Sequence, residues 1–332
     1  MKAVSWMLIA ALVMVCNAPA MGQTSQSTDV AMAKAVKTKK SAKKSAKKKG
    51  SEKGAEERRN WTFFASLSNV FDSNIEHDPV PVRSFGLVPA LGVSYRNEFS
   101  RNTLALDYEM AAHSYTHTDR WDVVSHNLDL AYRRALPHHL SSETGAGVSV
   151  RGSSEDRELN NQYSLSQRFG YRFNKRDRVA AFVVYRLKRH SEDPGSDAVS
   201  PYVGGKYERT LGANRTWAFG YRYEMNRARN QRQRYIRSTF STDFTTPLGR
   251  RDQLSLGARY KPQLYARLVK VGGVRVPRHD RRWVWDTEWA HTVSPNLAMS
   301  LGYQFEKRTS NDPDKRFNAH FISLTFRYNW FK

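Results

Sequence analysis

The feature that most constrains this chain is a period of two. From residue 61 onward, apolar and polar side chains alternate through segments of about ten or more residues, each followed by a turn or loop rich in Gly, Pro, Asn, Asp or Ser. One segment sets Phe85, Leu87, Pro89, Leu91, Val93 and Tyr95 against Gly86, Val88, Ala90, Gly92, Ser94 and Arg96. Another sets Trp217, Phe219, Tyr221, Tyr223 and Met225 against Ala218, Gly220, Arg222, Glu224 and Asn226. Such alternation is that of a strand with one apolar and one polar face. Fourteen segments result: 61–71, 83–96, 102–114, 123–134, 140–151, 161–173, 178–189, 199–210, 215–227, 234–245, 252–268, 281–293, 297–308 and 318–331.

Every second connection is short, as at Asn97–Arg101, Ala135–His139 and Ser294–Asn296. The others are mostly longer and more polar, as at Asp72–Val82, Ser191–Ala198 and Val269–Asp280. An even strand count with short and long connections alternating is the pattern of a closed antiparallel barrel in an outer membrane, with short turns in the periplasm. The eighth segment, broken by Pro201 and Gly204-Gly205, and the eleventh, whose end is indistinct, leave the count open by two. The last segment ends on large residues of one parity, Ile322, Leu324, Phe326, Tyr328 and Trp330, which suits a closing strand with interfacial aromatics. Lys332 reads as an overhang beyond it. A soluble all-β protein would also alternate, but its strands are usually about five or six residues long. The expected fold is therefore all-β: a transmembrane antiparallel up-and-down barrel of about fourteen strands.

The first 60 residues differ in kind. Lys2, the apolar run Val4 to Val15 and Ala18-Pro19-Ala20 form a secretory signal, expected at 1–20. The one cysteine, Cys16, falls inside it, so the mature chain would have no thiol chemistry. Residues 21–59 read as a disordered, Lys-rich periplasmic linker; residues 31–59 carry ten Lys and two Arg against three Glu. A solvated tail is the leading reading, a tether to anionic peptidoglycan the second. Nucleic acid is not expected as a partner, because the tail follows a secretion signal and lacks interleaved aromatics. Residues 60–332 form the barrel.

With the apolar parity facing lipid, the other lines a lumen. Arg151, Arg168, Arg172, Arg186, Arg222, Arg259 and Arg327 are expected there as bases, and Asp107, Glu109, Asp129, Asp286, Glu288 and Glu306 as acids. An Arg on the lipid face at mid-depth would cost about 2–4 kcal/mol, which explains the sorting. Acids dominate the third, twelfth and thirteenth segments and bases the sixth and seventh, which would set a transverse field across a pore; the basic eleventh segment adjoins the acidic twelfth and could pair with it, and a salt-bridged, closed lumen is the competing reading. Trp61, Trp217, Trp283, Trp285, Trp289 and Trp330 fit interfacial girdles. The Arg-rich connection 227–237 would face outside, toward lipopolysaccharide phosphates or solvent.

No Gly-x-Ser-x-Gly, His-Glu-x-x-His or P-loop is present. His138-His139 lacks ligand-spaced partners. No enzyme activity, metal or cofactor is expected, although a Ser/His/Asp cluster assembled from separate strands would escape such a reading.

Two stretches carry a family resemblance. Val70-Phe-Asp-Ser-Asn-Ile-Glu76 closes the first strand, and Glu306-Lys-Arg-Thr-Ser-Asn311 leads through a polar loop into Phe317-Asn-Ala-His-Phe-Ile-Ser-Leu-Thr-Phe-Arg-Tyr328. Together they resemble the type-two family of outer-membrane β-barrel porins, and are similar too to the barrel of surface lipoprotein assembly modifiers. The resemblance spans about residues 61–331. It implies an outer-membrane barrel in a Gram-negative envelope, inserted by the barrel-assembly machinery, with porin-like or export roles. Assembly modifiers carry a helical-repeat domain where this chain has its Lys-rich tail. The leading expectation is a passive channel for small solutes or ions with mild anion preference. The alternatives are a barrel component of lipoprotein or polysaccharide export, and a closed barrel anchoring the membrane to the wall.

Overall fold

The computed structural model describes residues 61–153, 159–191, 193–212 and 214–330. The signal at 1–20, the linker at 21–59 and the overhang at Lys332 lie outside the described residues. The strands are β1 (Trp61–Asp72), β2 (Ser84–Phe99), β3 (Asn102–Tyr115), β4 (Val123–Ala135), β5 (Leu140–Ser153), β6 (Leu159–Arg172) and β7 (Asp177–Arg189). β8 is in two pieces, Ala198–Val199 and Tyr202–Thr210. The rest are β9 (Thr216–Ala228), β10 (Tyr235–Pro247), β11 (Asp252–Val271), β12 (Val274–Thr292), β13 (Leu297–Ser310) and β14 (Phe317–Trp330). Each pairs antiparallel with its sequence neighbours, and β14 returns to β1 from Phe63↔Trp330 to Asp72↔Phe321. The result is a closed fourteen-strand barrel, which leaves no sheet edge exposed.

The alternation resolves into an outer and an inner face. Phe85, Leu91, Leu165, Phe169, Phe240 and Leu301 all point outward and stay exposed. Apolar side chains repeat this way around the ring, a surface far larger than the few hundred Å² a water-soluble monomer shows. It is suited to hydrocarbon. Among the described residues no helix is long and apolar enough to cross a membrane.

The eighth segment keeps its place despite Pro201. Ser200 and Pro201 interrupt the ladder, and pairing to β7 and β9 resumes at Tyr202. Gly204 is needed there: a Cβ would stand 2.5 Å from the Phe182 ring and 2.4 Å from the Tyr221 carbonyl. The expected loop Val269–Asp280 is a correction. Its residues belong to β11, 20 residues long, and β12, 19 residues long. They meet at Gly272-Gly273, both at positive φ, +55° and +89°, the backbone a two-residue hairpin turn requires. Polar residues occupy both faces of this extension because it stands beyond the apolar band, where neither face must be apolar. That is why its alternation is faint.

The two stretches that carried the family resemblance meet at the barrel seam. The Ser73 amide donates to the His320 carbonyl at 2.9 Å, and the His320 amide donates to Ser73 Oγ at 2.7 Å. Asn74 Nδ2 donates to the Asp78 carbonyl at 2.7 Å and the Asn318 carbonyl at 3.3 Å, while its amide donates to Asp72 Oδ1 at 2.8 Å. Asn74 and Ile75 are buried, and the His77 ring stacks on inward-facing Phe317 at 4.5 Å. Glu76 accepts from Thr118 Oγ1 at 3.1 Å and Trp121 Nε1 at 3.2 Å in the β3–β4 loop. The start of the first long loop is thereby held inward, against β14 and the β3–β4 loop.

Candidate functional site: the charged inner wall

A barrel of about eight strands is filled by side chains, and one of 16–18 leaves an aqueous channel. Fourteen strands lie between, so the contents of the lumen decide. The inner wall has two tiers. Toward the short-turn rim, Asp107, Glu109, Arg168, Arg178, Lys206, Arg259 and Asp286 remain partly accessible from inside. Toward the long-loop rim, inward polar side chains such as Gln162, Lys188, Glu224, Arg237, Lys261, Arg282 and Glu306 are buried.

The buried tier holds two ionic clusters. In the first, Glu224 is fully covered. Its Oε1 accepts from Arg186 at 2.7 Å, Ser200 at 2.9 Å and Tyr235 at 3.1 Å, and its Oε2 accepts from Arg237 at 3.0 Å. Arg222 lies 3.8 Å from the same carboxylate. The Arg186 and Arg222 guanidinium groups lie 5.2 and 5.1 Å from the Tyr202 ring centre, so one ring helps hold two like charges. In the second cluster, Asp280 accepts from Arg278 at 2.7 Å, from Ser310 at 2.7 Å and from Arg308. Arg282 beside it donates to Glu306 at 2.7 Å.

Strand by strand, the wall is uneven. The inner parity of β6–β9 carries Arg168, Arg172, Arg178, Arg186, Lys188, Lys206 and Arg222 against Glu208 and Glu224. The inner parity of β3 and β4 carries Asp107, Glu109 and Asp129 against Arg133, with Asp107 directly opposite Asp129 across the ladder. Gly147 makes room for that carboxylate: a Cβ there would stand 2.7 Å from Asp129 Oδ1. The twelfth and thirteenth strands do not add to an acidic wall. Asp286 pairs with Arg259 at 2.6 Å and Glu306 with Arg282, so β11–β13 is close to neutral. The transverse asymmetry therefore runs between the β3–β4 acids and the β6–β9 bases.

Other expected residues fall as follows. Arg327 faces inward, its guanidinium 3.7 Å from the Phe64 ring centre. Glu288 shares the inner parity of β12 with Asp286. Arg151 leaves the inner parity: the β5–β6 register shifts between Ser149 and Gly152, and Arg151 sits in that bulge, exposed, with φ +51°. The Arg-rich connection 227–237 divides, because Arg237 turns inward to Glu224 while Arg227 is exposed. Arg278, Asp280, Arg282 and Arg308 were not among the expected site residues; inward parity within 281–293 and 297–308 already reaches Arg282 and Arg308, and a β12 begun at Val274 would have added Arg278 and Asp280. Trp61, Trp217, Trp283, Trp285 and Trp330 are exposed on the outer face, and Trp289 shares their parity. Trp289 and Trp283 lie six residues apart on β12, about 20 Å along the strand. Among the described residues, no group of three His, Cys, Asp or Glu could hold a metal.

No family model matches the chain, and no curated protein does. Solved structures do. An anion-selective porin from Comamonas acidovorans superposes with a TM-score of 0.51 at 8% identity, covering 81% of this chain and 98% of that one. The fold is that of a porin-type barrel. OprD of Pseudomonas aeruginosa aligns with a TM-score of 0.43 at 9% identity, over 82% of this chain and 95% of its own. OmpT of Vibrio cholerae gives 0.47 at 12%, over 81% and 97%.

In this porin-type barrel the β7–β8 loop carries its own charge lock. Asp197 accepts from the His190 amide at 2.9 Å and from Arg189 at 2.7 Å. Burial pushes its carboxyl pKa up, but the His190 amide and the Arg189 and Arg229 charges outweigh this and hold it below the usual range. A depressed carboxylate stabilises the loop at every pH above the unfolded value of about 3.9, and the contribution is lost as pH falls through the folded value. Hydrogen exchange at the His190 amide should stay slow at neutral pH and accelerate, beyond its intrinsic acid dependence, only below about pH 4. Unchanged protection there would contradict the lock.

Proposed function

We propose that the protein is a passive porin-like channel of an outer membrane, with its short turns in the periplasm, its long loops outside and a mild preference for small anions. The observation that carries this reading is the excess of cations on the inner parity of β6–β9, where Arg168, Arg172, Arg178 and Lys206 stand in the accessible tier and Arg186, Lys188 and Arg222 belong to the covered cluster at Glu224. A cationic wall raises the local anion concentration and lowers that of cations. The inward first loop and the covered ionic clusters narrow the passage at the outer end, and the accessible tier near the turns is wider. The facing acids of β3 and β4 give a permeant ion a transverse field, which orients a dipolar solute in transit. The reading assigns transport and no chemistry. Purified protein in planar bilayers should give discrete conductance steps, and neutralising Arg168, Arg178 and Lys206 together should abolish the anion preference with the steps retained. A protein that inserts without any steps would overturn the channel reading.

A further inference from the structure

The outer face of β11–β13 shows a second charged surface, unrelated to the lumen. Outward aromatics form a continuous contact ladder across five strands. Phe240 lies 6.4 Å from Tyr260, Tyr260 4.3 Å from Trp283, Trp283 5.7 Å from Trp285, Trp285 5.6 Å from Phe305 and Phe305 4.9 Å from His320, centre to centre. Immediately on its long-loop side stand Arg281 and Lys307, both exposed. Lys307 lies directly across the ladder from Trp283. Arg281 is two residues along the same face, about 7 Å by strand rise. Farther out, Arg275 and Lys270 are exposed cross-strand neighbours on the same side of the hairpin. Along β11–β14 the outward parity carries one acid, Asp252, which lies at the opposite rim bound to Trp289 and His291.

Like charges gathered on one face repel each other unless something neutralises them. Here they stand in two tiers above an aromatic belt, at the depth where a bilayer passes from acyl chains to headgroups. We propose that this face binds a phosphorylated glycolipid of the lipopolysaccharide class in the outer leaflet. Its acyl chains lie along Tyr260, Trp283, Trp285 and Phe305, the glucosamine phosphates sit against Arg281 and Lys307, and the more distal anionic sugars reach Arg275 and Lys270. Arg281 supplies the planar fork that matches phosphate oxygens, and Lys307 the compact charge that reaches up past Trp283. The inference rests on the outer-membrane reading above but not on the lumen being open.

The test uses the folded barrel in detergent, with purified bis-phosphorylated lipid A as probe and complexes counted by native mass spectrometry. Wild-type protein should retain lipid A, and Arg281→Ser with Lys307→Ser should weaken binding about tenfold, while Lys175→Ser, exposed in the β6–β7 turn at the opposite rim, should leave it unchanged. Dephosphorylated lipid A should bind wild type as weakly as the double variant binds the intact lipid, and inorganic phosphate should not compete. Equal binding by wild type and double variant, equal binding of the dephosphorylated lipid, or effective competition by free phosphate would each overturn the proposal. Bilayer conductance of the double variant, measured separately, should match wild type; a non-conducting wild type sinks the channel reading and leaves this one standing.

Discussion

Glu224→Ala should cost about 3–5 kcal/mol of barrel stability, as removing one partner of a buried ionic group does. The carboxylate is fully covered and answers Arg186, Arg222 and Arg237 at 2.7 to 3.8 Å. Without it, three guanidinium groups and nearby Lys188 on β7–β10 lose the carboxylate they share. Two of the guanidinium groups share the Tyr202 ring, which attracts cations but does not cancel their charge. Glu224→Gln keeps the volume and can still accept from Ser200 and Tyr235, yet it should be nearly as damaging, because charge rather than shape is lost. Urea unfolding of the detergent-folded barrel measures both. Replacing Glu224 and Arg237 together by Gln and Met should cost less than the sum of the single changes. A loss under about 1 kcal/mol for Glu224→Ala would mean that water reaches this tier, and the description of it as packed would be wrong.

Shortening the first loop should change transport more than stability. Replacing residues 75–82 by two glycines removes Ile75, Glu76 and His77, with their contacts to Val82, Trp121 and Phe317. The seam itself keeps Asp72, Ser73 and Asn74. Conductance should rise about twofold or more, since the narrowest section of a pore dominates its resistance. The anion preference should fall only slightly, because the β6–β9 cations stay in place. Unchanged conductance would show that the loop covers the mouth without narrowing the path.

Much of this arrangement is legible in the sequence. The strand count, the closure of β14 on β1 and the face of nearly every charge follow from side-chain parity, because lipid punishes a misplaced charge heavily. Parity failed where that penalty is absent. The β11–β12 extension stands clear of the apolar band, so Val269–Asp280 read as a loop and Arg278, Asp280 and Arg308 went unnoticed as a cluster. It failed also at the β5 bulge, where one irregular residue removed Arg151 from its face. Pairing was the other hidden layer. The acids of β12 and β13 looked like one wall of a dipole; the sequence left pairing of the basic eleventh segment with the twelfth open, and register sets Asp286 beside Arg259 and Glu306 beside Arg282. The seam contacts of Ser73 and Asn74 to β14 join residues about 245 positions apart, which no local pattern reveals.

In the proposed channel the accessible cations of β6–β9, Arg168, Arg172, Arg178 and Lys206, line the conducting path. The reversal potential of wild-type protein in a planar bilayer under a tenfold KCl gradient tests it most directly. A nonzero potential with the sign of chloride preference is expected, shrinking as the salt on both sides is raised and the wall charges are screened. A potential of the opposite sign, showing potassium preference, would contradict it.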